Sequence, residues 1–111
     1  MGYITYFNLR MFGPDDKVEK AGEDIKALSP EGFLDELVDD EYSELKWYDW
    51  RNDIDKVAKA NPDVLIILDG DGEESDDLWQ YRAKGDKTEY HGFMISPFTT
   101  PELLLKEETN K

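Results

Sequence analysis

The sequence contains no cysteine. That absence removes disulfide frameworks, thiolate zinc sites and cysteine nucleophiles from consideration, and it fits a reducing cytoplasm. Basic residues are scarce: 13 Lys and Arg stand against 27 Asp and Glu, giving a formal charge of −14. A chain so acidic is repelled at long range by duplex nucleic acid and by anionic membrane surfaces. Its expected partners are basic protein surfaces, among them the groove of a nucleic-acid-binding enzyme, or metal cations. No apolar run approaches the roughly 18–20 residues that a membrane span requires. The start, Met1 to Thr5, has neither the basic flank nor the apolar stretch of a signal peptide. Tyr6 stands where a myristoylation pattern needs Ser or Thr. Histidine occurs once, at His91, and neither a Gly-x-Ser-x-Gly elbow nor a phosphate loop is present. No catalytic residue is assigned, and the expectation is a protein that is not an enzyme.

The remaining composition is that of a folded domain. Hydrophobic residues make up 39% and aromatics 13%, more than a disordered chain carries. At 111 residues, one α+β domain spanning 1–111 is expected, with 107–111 as a frayed tail.

Periodicity supplies the elements. Residues 3–12, YITYFNLRMF, alternate as a strand with apolar residues on both faces. Gly13-Pro14 breaks it, and Val18, Ala21, Ile25 and Leu28 recur at helical spacing, predicting a helix over 15–28 with Pro14 opening its first turn. Ser29-Pro30 begins a second, short helix at 30–39, carrying Phe33, Leu34, Leu37 and Val38. A strand is predicted at 44–48 and a third helix at 50–60, closed by Asn61-Pro62. Val64–Leu68 is the most apolar segment and reads as the central strand. Leu78–Ala83 and the residues after Lys87 form a hairpin about Gly85-Asp86, as a type II′ turn. That register sets Arg82 opposite Glu89, Tyr81 opposite Tyr90 and Trp79 opposite Gly92. A helical stub is placed at 102–108. The order predicts a two-layer sandwich with a mostly antiparallel sheet and helices on one face, a ferredoxin-like variant.

Two acidic segments stand out. The loop predicted at 69–77 holds six carboxylates and no base. Asp69, Asp71 and Glu73 begin like a calcium loop, but Glu74 occupies the place of the invariant Gly and Gln80 that of the final Glu. Calcium or magnesium at Asp69, Asp71 and Glu73 is the alternative to a cofactor-free protein. Residues 31–55 carry ten acids against Lys46 and Arg51. Charge runs commonly serve only solubility, as in a small acidic subunit of a larger assembly. Two such segments in one small chain also suit a surface that imitates nucleic-acid phosphates and engages a basic site. The candidate contacts are Glu36, Asp39, Asp40, Glu41, Asp71, Glu73, Glu74, Asp76 and Asp77. Of the aromatics beside them (Tyr42, Trp47, Tyr48, Trp50, Trp79 and Tyr81), one or two are expected to be exposed.

Residues 62–82, PDVLIILDGDGEESDDLWQYR, with Lys46-Trp47-Tyr48 and the Pro97-Phe98 tail, resemble a group of small acidic proteins from bacteria, phages and other mobile elements. The resemblance covers roughly residues 42–98. It implies a mobile-element setting, and hence a host cytoplasm, but transfers no activity and no site residue. Acidic phage proteins of this size are often inhibitors of host defence or of host nucleic-acid enzymes, an analogy of class alone.

Overall fold

Alternation in the first strand sorts its side chains between two environments. In β1 (Thr5–Phe12), Phe7 and Leu9 are buried, whereas Tyr6 and Asn8 on the opposite face are exposed. A computed structural model describes residues 4–28, 32, 34–72, 77–92 and 98–105. After β1 come α1 (Asp15–Lys26), α2 (Asp35–Asp40), β2 (Tyr42–Leu45), α3 (Trp50–Ala60), β3 (Leu65–Gly72), β4 (Leu78–Lys84), β5 (Lys87–His91) and a 3-10 turn at Pro101–Leu103. The sheet order is β2-β1-β3-β4-β5, with every neighbouring pair antiparallel. β3 is central. The connection from β2 through α3 to β3 passes across β1, which is the split β-α-β unit of ferredoxin-like folds, and β3, β4 and β5 continue as a meander.

The helices cover one face. Ala21 and Ile25 of α1, Leu37 of α2, and Ile54, Val57 and Ala58 of α3 are buried against Phe7, Leu9, Ile66, Leu68, Trp79 and Tyr81. Each helix turns its predicted stripe toward the sheet, with Val18, Leu28, Val38 and Trp50 partly buried at its margins and Phe33 outside the described residues. Asn61 fastens the ends of α1 and α3 together. Its Nδ2 donates to the Val57 carbonyl at 2.8 Å and to Asp24 Oδ2 at 2.9 Å, and Lys20 also donates to Asp24 at 2.9 Å. Those bonds hold the Asp24 carboxyl below its ordinary range, Asn61 contributing most and Lys20 next.

Some boundaries differ from the sequence expectation. Pro14 lies just before α1 as its cap residue, and the helix stops at Lys26. α2 covers 35–40 and ends where Glu41 turns left-handed at φ 64°. The residues proposed to start it, Ser29 and Pro30, lie outside the described residues. Lys26 of α1 bridges Asp39 at 2.7 Å, which offsets the unfavourable anions at that helix end. β2 falls at 42–45, two residues early, because Trp47 is drawn into the core. Its ring packs 5.4 Å from Phe7, and its Nε1 donates to Asp53 at 2.8 Å.

The largest correction concerns the acidic loop. Residues 69–72 are not a loop but the last half of β3, paired with Thr5–Asn8 of β1. Gly70 lies under the Trp79 indole, where a Cβ would come within 2.0 Å of the ring. The hairpin has the expected register, Arg82 opposite Glu89 and Tyr81 opposite Tyr90, and Gly85 takes the positive φ of 60° that a type II′ turn needs. Of the stub predicted at 102–108, the described part is the turn at Pro101–Leu103 followed by extended Leu104, and residues from 106 onward lie outside the described residues.

Candidate binding face

The second face of the sheet is divided. Over β3, β4 and β5 it is covered by residues 98–105. Leu103 and Leu105 pack on Leu65 and Ile67, and Phe98 is buried. Arg82, only 4% exposed, donates from NH1 to the Leu103 carbonyl and from Nε to Gln80 Oε1, both at 2.9 Å. Its guanidinium lies 4.2 Å from the centre of the Phe98 ring. Glu89 accepts the backbone N–H of Thr99 at 3.1 Å and of Thr100 at 3.0 Å, and the Nε2–H of His91 at 2.6 Å. Burial pushes the Glu89 carboxyl up, but the bonds donated by His91, Thr100 and Thr99 prevail and hold it at about 2.

Over β2, β1 and the end of β3, no other described residue covers the same face. Strand register sets two rows across it. Glu44, Tyr6, Asp71 and Leu78 form one row, and Tyr42, Asn8, Asp69 and Gln80 the next. Tyr6 is 39% exposed, Tyr42 48% and Leu78 40%. The two tyrosine rings stack 6.3 Å apart, 12° from parallel. Together with Asn8, Asp69 and Asp71 they line an open groove of about 520 Å³. The Tyr42 hydroxyl keeps its proton above the ordinary range, through partial desolvation first and then the negative field of Glu44, Tyr6 and Asp71.

The groove's two aspartates differ. Asp69 is engaged: Arg10 NH2 reaches Oδ2 at 3.3 Å and Gln80 Nε2 donates to Oδ1 at 2.6 Å. Asp71 is exposed, and its carboxylate has no hydrogen-bond or ion-pair partner among the described residues.

The candidate contacts named from the sequence separate accordingly. Asp71 lies in the groove. Glu36, Asp39, Asp40 and Glu41 are exposed on the helical layer beside β2, where Glu36 accepts the Ser43 hydroxyl at 2.9 Å. Asp77 is half-buried, and its carbonyl accepts the Gly72 N–H at 2.8 Å. Glu73, Glu74 and Asp76 lie outside the described residues. Of the alternative calcium or magnesium ligands Asp69, Asp71 and Glu73, Asp69 spends both its oxygens on Arg10 and Gln80. Among the described residues no three His, Asp or Glu side chains converge as a metal site.

Sequence reasoning overlooked Tyr6, Asn8 and Leu78, and it counted Glu44 in the acidic 31–55 segment without naming it a contact. The available signal was the polar and aromatic alternation Tyr6, Asn8, Arg10 along β1. Two of the six aromatics singled out beside the acids are exposed, Tyr42 and Tyr48. Trp50 and Trp79 stack 4.2 Å apart at the far end of the helical face, with the Arg51 guanidinium 4.9 Å from the centre of the Tyr81 ring.

The chain matches no family model, no curated protein and no solved structure. No helix of the described residues is long and apolar enough to cross a membrane.

Proposed function

We propose that this protein is a non-enzymatic acidic binding protein that presents a negative surface to the basic, nucleic-acid-binding site of another protein and blocks it. One observation carries the reading. Glu44 and Asp71 belong to two acidic segments far apart in sequence, yet they stand on either side of exposed Tyr6 on the uncovered face. Strands lie about 4.8 Å apart, which sets the backbones of these two acids roughly 10 Å from one another. Asp39, Asp40 and Glu41 continue the negative charge around the β2 edge. A formal charge of −14 steers such a surface toward a cationic site and makes the encounter depend on salt. The setting that suits this role is a host cell whose defence or nucleic-acid enzymes are the targets.

The experiment is capture of nuclease-treated host proteins on the immobilised chain, eluted with rising salt and, separately, with a short DNA duplex. The expected result is a basic nucleic-acid-binding protein that both salt and duplex release, and that a Glu44→Lys/Asp71→Lys variant no longer retains. Retention that survives duplex competition and charge reversal would overturn the reading.

A further inference from the structure

We infer that the groove between Tyr6 and Tyr42 is a receptor for an arginine side chain of the partner, with its guanidinium flat on the tyrosine pair and bonded to Asp71. The inference rests on the binding-protein reading and gives it a chemistry.

Three observations converge on it. The first is shape and surface. The groove exposes two nearly parallel aromatic rings, and Leu78 closes its far side. A planar, weakly hydrated guanidinium stacks on such rings, whereas a compact, strongly hydrated ammonium does so less well.

The second is charge. Asp71 is exposed and unpaired among the described residues, Glu44 lies across Tyr6 from it, and the Tyr42 hydroxyl responds to both acids. A carboxylate beside an aromatic face matches both properties of arginine, the stacking plane and the donor fork.

The third is the rest of the molecule. On the covered half of this face, Arg82 lies over the Phe98 ring. On the helical face, Arg51 lies over Tyr81 and Tyr90. The open half has the rings and the carboxylates, but among the described residues no cation stacks on Tyr6 or Tyr42.

Other occupants fit worse. A nucleobase would stack on the rings but bring phosphates to Asp71 and Glu44. A second copy of this chain would set one −14 body against another and the same carboxylates against each other.

The test is titration of the isotope-labelled full chain with a capped Gly-Arg-Gly-Arg-Gly peptide, followed by amide shifts and calorimetry. Its lysine and citrulline counterparts are run beside it. Citrulline keeps the shape of arginine without the charge. The arginine peptide is expected to shift the amides of Tyr6, Tyr42 and Asp71. Affinity should fall about threefold with lysine and at least about tenfold with citrulline, and a Tyr6→Leu/Tyr42→Leu variant should lose about tenfold. Asp71→Asn, a change on an exposed and unbonded side chain, should lose about fivefold with the fold unchanged by circular dichroism. Glu19→Gln/Glu23→Gln, at exposed positions of α1, should stay within about twofold. If the arginine peptide shifts only α2 and ignores the tyrosine substitutions, the groove is not the receptor, although the acidic-surface reading survives. Equal binding of citrulline overturns the role of charge, and with it the inference. If no peptide binds at millimolar concentration, both the inference and the broader reading fall.

Discussion

The two halves of the sheet's outer face belong to one sheet and carry the same kinds of residue, yet they are treated oppositely. Each pairs aromatic rings with arginine and carboxylate groups. On the β4–β5 half, residues 98–105 close over them, and Arg82 and Glu89 spend their bonds on the backbone of that segment. On the β2–β1 half nothing among the described residues closes over Tyr6, Tyr42 and Asp71. Where polar groups are buried, each must find a partner, because a buried group without one costs far more than the bond itself contributes. Where they stay in water, Asp71 can remain unbonded without penalty. Buried side-chain polar atoms without a partner are absent among the described residues, as that rule requires. The covered half is therefore expected to supply stability, and the open half recognition.

The largest expected effect tests the covered half. Replacing Arg82→Met keeps the apolar stem but leaves the Leu103 carbonyl and Gln80 Oε1 without their donor. A loss of about 3 kcal/mol is expected, read as a lower urea midpoint with an unchanged slope. A loss below about 0.5 kcal/mol would mean that the C-terminal segment is not fastened through Arg82 and would erase the contrast.

Much of this architecture was legible from local pattern. The third helix begins and ends where Asp49 and Asn61-Pro62 indicated, and the hairpin register followed from Gly85-Asp86 alone. What local pattern could not show was set by distant partners. Asp69-Gly70-Asp71-Gly72 reads as a turn by composition. It is a strand because β1 offers a ladder to Gly72, Trp79 fills the space over Gly70, and Arg10 pairs with Asp69. The open groove joins Tyr6, Tyr42 and Asp71, which only the sheet order brings together. The cover at 98–105 carries one 3-10 turn and no strand, and its placement follows from Phe98 and Leu103 finding Arg82 and Ile67.

A second, intermediate effect is a pH dependence confined to the covered half. In the fold the Glu89 carboxyl titrates at about 2, whereas an unconstrained one titrates near 4.5. Its stabilisation is complete above the unfolded value and is lost as pH falls from about 4.5 toward 2, because the unfolded chain takes up the proton first. Glu89→Gln should therefore cost about 2 kcal/mol at neutral pH, and the gap between the wild type and this variant should narrow steadily across that acid window. Urea unfolding of both proteins at several pH values measures it. A gap that stays constant with pH would show that His91, Thr99 and Thr100 are not what holds the carboxylate.

The smallest expected effect is on the open half, and it is informative because it is small. Tyr42 and Leu78 keep 48% and 40% of their surface in water, so cutting them back removes less buried area than cutting a core side chain. Tyr42→Ser and Leu78→Ser should each cost about 1 kcal/mol, the smallest of the three effects. Both should still weaken binding of the arginine peptide, since each removes part of the groove wall. Stability and binding would then separate by half of one sheet: Arg82→Met costs stability and reaches the groove only through Gln80 and Asp69, and Tyr42→Ser disarms the groove without unfolding. If Tyr42→Ser instead costs about 2 kcal/mol, the tyrosine pair is packing that fastens β2 to β1, and its exposure is incidental to recognition.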